Sequence, residues 1–231
     1  MTKEDNNIDE EEFKIKLLPH DYTKYDLSFK MIIIGDSNTG KSRLITKALN
    51  ITFNNMATVG VEFLNFIIKI NKKVIKIYIW DICGKEIYRS LNSNFYSNSS
   101  LAIILYSIDN KESFEHAENW LNDLKSQANP DIRIILVGNK SDLEEERKVT
   151  EVEGLKFRDD KGLDLFMETS AKTGYNATNV IIEATKLLYK DYYLKHIETD
   201  PNKEKEKNSN KLKKDYIKNI KFEKLKQFIN Y

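Results

Sequence analysis

Residues 29–49 read FKMIIIGDSNTGKSRLITKAL. The apolar run through Met31, Ile32, Ile33 and Ile34 predicts a strand buried on both faces, because a half-exposed strand would alternate. Leu44, Ile45, Ala48 and Leu49 recur at helical spacing and predict a helix with one apolar stripe. Between them, Gly35 to Ser42 fit the pattern G-x-x-x-x-G-K-[ST]. In such a turn the backbone N–H groups and the helix start wrap phosphates, the lysine (Lys41) neutralises the terminal ones, and the hydroxyl of Ser42 binds magnesium.

Outward from this unit the pattern repeats. LAIILYS (101–107), IRIILVGN (132–139) and LDLFMETS (163–170) read as further buried strands. Leu64, Phe66, Ile68 and Ile70 alternate, as do Ile75, Ile77 and Ile79, and Asn71-Lys72-Lys73 between them marks a hairpin. Two more helical stripes follow, Phe114/Ala117/Leu121/Leu124 and Ala177/Val180/Ile181/Ala184/Leu187/Leu188. Strands alternating with helices predict an α/β fold: a mostly parallel six-stranded sheet with one antiparallel hairpin pairing and helices on both faces. Ligands in such folds sit beyond the carboxyl ends of the strands.

The 231 residues suit one such domain with tails. Net charge is only +1, yet residues 1–26 carry eight acids and four bases, and Pro201 to Tyr231 ten lysines and four acids. We assign 1–26 as an acidic extension, 27–197 as the domain and 198–231 as a lysine-rich tail; segments of this composition bury too little apolar surface to order. Cys83 alone excludes a disulfide framework and thiolate zinc sites and implies a reducing, cytoplasmic setting. No run approaches the length of a membrane span, and neither end carries a secretory, myristoyl or prenyl signal. The aromatic and aliphatic residues of the lysine-rich tail drift around a helix, so membrane contact is expected to be peripheral at most, and nucleic-acid binding is not expected.

The other strand ends supply the remaining candidates. Asp81, after the Ile75–Ile79 strand, is placed to hold a magnesium shell, and Gly84, three residues on, lets a backbone N–H approach a terminal phosphate. Asn139-Lys140-Ser141-Asp142 and Ser170-Ala171-Lys172 follow the next strands and converge on a crevice that could hold a base.

YDLSFKMIIIGDSNTGKS, TVGVEFL, WDICGKE, LYSIDNKESF, VGNKSDL and METSAKTGYN occur here in one order. Over residues 25–195 the chain resembles the small GTPases of the Ras superfamily, specifically the Rab branch. The resemblance implies a P-loop G domain that binds GTP or GDP with Mg2+. Asp142 would accept from guanine N1–H and its amino group, Asn139 would brace the phosphate loop, and the stems of Lys140 and Lys172 would flank the base. Ala171 N–H would reach the guanine carbonyl beside Ser170, and Phe53 would cover the base. Ser37, Asn38, Thr39, Gly40, Lys41, Ser42 and Arg43 would line the phosphates. Thr58 would join Ser42 and Asp81 on the metal only in the triphosphate state, with Gly84 on the gamma phosphate. Phe63, Trp80 and Phe95 occupy the positions of an effector patch, although for each a plain core role stands beside that reading. Effector, exchange-factor and activating proteins are the implied partners of a monomeric switch in vesicle traffic, on a Golgi or endosomal membrane.

Lys85 stands where the family has a glutamine that orients the attacking water, and a lysine offers that water no acceptor. Lys85, Gly84 and Lys41 are therefore the catalytic candidates of an enzyme expected to hydrolyse GTP slowly. The loop from Phe53 to Thr58 is two residues shorter than is usual in Rabs, and Asn38 and Thr39 replace smaller or apolar residues. These departures leave an alternative, a GTP-loaded scaffold that does not cycle. His116 and the run Glu144 to Arg147 read as helix surface and charged loop without chemistry.

Overall fold

The computed structural model describes residues 13–52, 60–84 and 95–199, with side chains through residue 195. Among them are seven strands, β1 (Ile15–Leu18), β2 (Leu27–Ile34), β3 (Val61–Ile70), β4 (Lys73–Ile82), β5 (Leu101–Ser107), β6 (Arg133–Asn139) and β7 (Leu165–Glu168). Four helices accompany them: α1 (Lys41–Ala48), α2 (Lys111–Gln127), α3 (Glu151–Lys161) and α4 (Ala177–Thr199).

All seven strands form one sheet in the order β1-β3-β4-β2-β5-β6-β7. The pairings β2–β4, β2–β5, β5–β6 and β6–β7 are parallel, while β1–β3 and β3–β4 are antiparallel. The expected six strands with one antiparallel pairing are thus corrected to seven with two. The additional strand, β1, falls inside the segment assigned to the acidic extension. It is four residues long, too short for its period to stand out among charges. Its place comes from β3, against which Ile15 aligns with Ile70 and Leu17 with Ile68. Asn71 fixes this register by exchanging bonds with Lys14, one from its side chain (3.1 Å) and one from its backbone (2.9 Å).

Buried strands have the composition read for them: every residue of β5 is buried, whereas β4 alternates buried with partly buried positions. On one face Ile32, Ile34, Ile104 and Leu136 meet Trp120, Leu121 and Leu124 of α2. Burying each such side chain contributes about 1.5–3 kcal/mol. By alternation, Met31 and Ile33 of β2 lie on the opposite face. They are as fully buried as Leu44 and Ile45 of α1 and Val180 and Ile181 of α4.

Helix α2 starts where Asn110 accepts from the Ser113 N–H. The sequence stripe did not include α3, whose face is mostly charged, but its start carries a capping box between Thr150 and Glu153, a legible T-x-x-E. It ends at Gly162, whose φ of 66° suits the left-handed cap. The chain divides at Leu188, and the described part of the second unit is the end of α4, where the rings of Tyr189 and Tyr193 lie 6.2 Å apart.

What matters for the site is β2, which pairs with β4 on one side and β5 on the other. The connection after β2 enters α1 and that after β5 enters α2, helices on opposite faces, so a crevice opens beyond the carboxyl ends of these strands.

Candidate functional site

Gly35 to Gly40 bridge β2 and α1. Gly40, at φ 93°, is the N-cap of α1 and makes no side-chain capping bond, and the first turn holds no acidic residue. The leading N–H groups of α1 therefore have no side-chain partner at the cap, the arrangement that receives an anion. Thr39, buried, donates its hydroxyl to the Asp36 carbonyl at 2.9 Å and so closes the loop on itself. Ser37, Asn38 and Arg43 are exposed around it.

Lys41 is 7% exposed, and its ammonium donates to the Gly35 and Asp36 carbonyls, each at 2.8 Å. Burial pushes its pKa down, and the neighbouring Asp81, Cys83 and Asp36 oppose that. A buried cation whose hydrogen bonds among the described residues go to neutral carbonyls is stabilised by an incoming polyanion. Residues and ligand therefore fit: a polyphosphate supplies the charge that this ammonium lacks.

The next strand brings Asp81, 1% exposed, against α1, where the Ser42 hydroxyl donates to its Oδ2. Among the described residues no cluster of three or more His, Cys, Asp or Glu side chains occurs. A hydroxyl and one carboxylate suit Mg2+, which keeps much of its shell for water and phosphate oxygens. Gly84 passes so close that an added Cβ would meet the Gly35 oxygen, the Lys41 ammonium and, at 2.6 Å, the Asp36 carbonyl carbon. Only glycine lets the chain through here. Phe53, Thr58 and Lys85 lie outside the described residues.

The other half of the crevice is tied together by Asn139, at 0% exposure. Its Nδ2 donates to the Thr39 carbonyl at 2.8 Å, while its Oδ1 accepts from Thr169 Oγ1 at 3.1 Å and Ala171 N at 3.2 Å. One side chain thus joins the loops after β2, β6 and β7. Lys140 follows at φ 65° with its ammonium 3.4 Å from each oxygen of Asp109, which also accepts from the Ser107 hydroxyl. Burial raises the Asp109 pKa, but those two donors outweigh it and leave the group below its usual range.

Asp142 accepts from Ser170 Oγ at 2.5 Å and lies 3.5 Å from the Lys172 ammonium. Burial alone would raise its pKa, yet Ser170, its own backbone and Lys172 bring the net shift downward. It is an ionised acceptor at neutral pH, able to take two N–H donors from one ring edge.

A model of the Ras family matches residues 30–190 of this chain. The Ras-related protein Rab-4 of Dictyostelium discoideum is 41% identical over 161 residues, 69% of this chain and 78% of that protein. The Ras-related protein Rab-2B of the same organism is 39% identical over 181 residues, 78% and 87% of the two chains. The chain belongs to the Ras family, on its Rab branch.

This small GTPase carries two of its aromatic candidates on paired strands, Phe63 on β3 opposite Trp80 on β4, and the third, Phe95, beside Trp80. Phe63 is 50% exposed and its ring centroid lies 5.5 Å from that of Trp80, edge to face; Trp80 in turn lies 5.8 Å from Phe95. Trp80 and Phe95 also pack against the buried core, which is the core role set beside the effector-patch reading. Phe63 and Tyr78 stack at 5.5 Å, and the Lys30 ammonium sits 4.8 Å above the Trp80 ring.

Two sequence assignments change. Arg147 is not merely a charged loop residue: it reaches Glu144 and, at 2.6 and 2.8 Å, the carboxylate of Glu168, which holds its pKa high. His116 is not a bare surface group either, since it and Trp120 both reach Asp36 in the phosphate loop. Their spacing, one helical turn apart, was visible in the sequence; their partner was not. Nothing in the comparisons favours the non-cycling scaffold.

Proposed function

We propose that this Rab-branch GTPase binds GTP and GDP in the crevice beyond β2, β4, β6 and β7 and acts as a switch in vesicle traffic. The observation that carries this reading is the buried Lys41 ammonium at the uncapped start of α1, facing the same crevice as the ionised Asp142. Ser37 to Arg43 surround the phosphates, Lys41 neutralises the terminal ones, and Ser42 and Asp81 hold Mg2+, joined by Thr58 in the triphosphate state. Mg2+ held by Ser42 and Asp81 would supply positive charge to offset the negative charge of the phosphate oxygens. Asp142 selects guanine because adenine has no N1–H and amino pair to donate. Lys140 and Lys172 flank the ring, Phe53 covers it, and the Ala171 N–H beside Ser170 meets the guanine carbonyl.

Gly84 gives its N–H to the gamma phosphate, so losing that phosphate releases both Gly84 and Thr58. Lys85 offers the attacking water no acceptor, which makes intrinsic hydrolysis slow and turnover dependent on an activating protein. Phe63, Trp80 and Phe95 form the patch that effectors read in the triphosphate state. The similarity to proteins named Rab-4 and Rab-2B supports a peripheral site of action on an endomembrane; among the described residues no helix is long and apolar enough to cross a bilayer.

Extraction of the nucleotide carried by the purified chain, followed by chromatography, tests the reading. GDP or GTP is expected. Absence of guanine nucleotide, together with no affinity for added GDP or GTP in Mg2+, would overturn it.

A further inference from the structure

The phosphate loop carries a carboxylate, Asp36, where the function proposed above places a polyanion. A charge of that sign repels phosphates unless it is turned away and given donors. Helix α2 supplies them. Trp120 Nε1 donates to Asp36 Oδ1 at 2.7 Å, and His116 Nδ1 lies 2.7 Å from Oδ2, so each oxygen has a donor of its own. The side chain of Asp36 is only 13% exposed, and bonds to a carboxylate so shielded are strong ones. His116 and Trp120 stand at i and i+4, beside the stripe of Ala117, Leu121 and Leu124 that seats α2 on the sheet.

The backbone of the same residue has a second task. The Asp36 carbonyl accepts from the Thr39 hydroxyl at 2.9 Å and from the Lys41 ammonium at 2.8 Å. Fixing the Asp36 side chain therefore fixes the carbonyl that aims Lys41. Without its two donors the carboxylate is free to turn toward Lys41, on whose charge Asp36 already acts.

We propose that His116, together with Trp120, is a positioning residue of the nucleotide site: by holding Asp36 away from Lys41 it keeps that ammonium for phosphate and slows nucleotide release. This rests on the guanine nucleotide reading above.

The test is release of the fluorescent analogue mant-GDP from the full chain into excess GDP with Mg2+. His116→Ala is expected to release it at least about fivefold faster, within the range of ordinary couplings between sites. His116→Asn, whose amide N–H stands where Nδ1 does, restores the rate to within about twofold. Asp36→Ala releases faster on its own, and adding His116→Ala to it changes little, because the two act through one contact. Where His116→Ala fails to fold, Trp120→Phe removes the indole N–H while keeping a ring in the core, and the same acceleration is expected. Wild-type release in these variants, or an equal acceleration by His116→Ala in the Asp36→Ala background, overturns the proposal. A wild-type chain that does not bind mant-GDP at all would instead overturn the nucleotide reading.

Discussion

Replacing Asn139 with alanine would cut three loops apart at once. The variant strands the Thr39 carbonyl, the Thr169 hydroxyl and the Ala171 N–H, at residues 1%, 0% and 7% exposed. The hydroxyl can rotate toward another acceptor, so two backbone groups remain without partners. Each costs about 1–3 kcal/mol, giving a loss of about 2–6 kcal/mol. Against a domain stability of about 5–15 kcal/mol this is a large fraction. The same loops carry Lys41, Asp142 and Ala171. A loosening worth about 2 kcal/mol in binding corresponds to a roughly 30-fold weaker affinity for GDP. Urea unfolding of the GDP-saturated chain and titration with mant-GDP measure the two effects. Asn139→Asp is a sharper control: it keeps the acceptor for Thr169 and Ala171 but turns a carboxylate oxygen on the Thr39 carbonyl, and is expected to be at least as damaging. An Asn139→Ala chain within about 0.5 kcal/mol of wild type, the level of an ordinary surface change, with unchanged affinity, would refute the view that this side chain holds the crevice together.

Three further outcomes are expected. Lys85→Gln, by returning an acceptor to the attacking water, should hydrolyse bound GTP about 100-fold faster in single turnover; equal rates would remove the assigned cause of slow hydrolysis. At Gly154 an added Cβ would come within 2.5 Å of the Phe166 ring. Gly154→Ala should therefore lower the urea midpoint, since overpacking of about 1–3 kcal/mol exceeds the helix-propensity gain of at most about 1 kcal/mol; an unchanged or higher midpoint would contradict that contact. The Lys111 ammonium and the Thr150 backbone and hydroxyl lower the Glu153 carboxyl from 4.5 to about 2 in the folded chain. A depressed folded pKa stabilises above the unfolded value and loses that contribution as pH falls toward about 2. The melting-temperature gap between wild type and Glu153→Gln should be widest near neutrality and narrow below about pH 4.5; a gap that stays constant down to about pH 3 would contradict it.

The sequence by itself determined the parallel core and the order of the site. Apolar runs such as LAIILYS must be buried on both faces, and the glycine, lysine and serine of residues 35–42 have few uses together other than a phosphate turn. Local chemistry also marked Gly84, whose lack of a Cβ the close passage by Lys41 demands, and the strand-end residues Asp81, Asn139 and Asp142. Tertiary structure alone decided what depends on a partner far along the chain. Strand β1 carries too short a pattern to be read, and it exists because β3 offers Ile68 and Ile70 as an edge. Helix α3 hides its face among charges until Phe166 packs on Gly154. Asp36, His116 and Trp120 are each ordinary in sequence, and their joint role appears only when α2 is laid across the phosphate loop. Periodicity reports which side of an element faces inward; it carries no information about which other element comes to meet it.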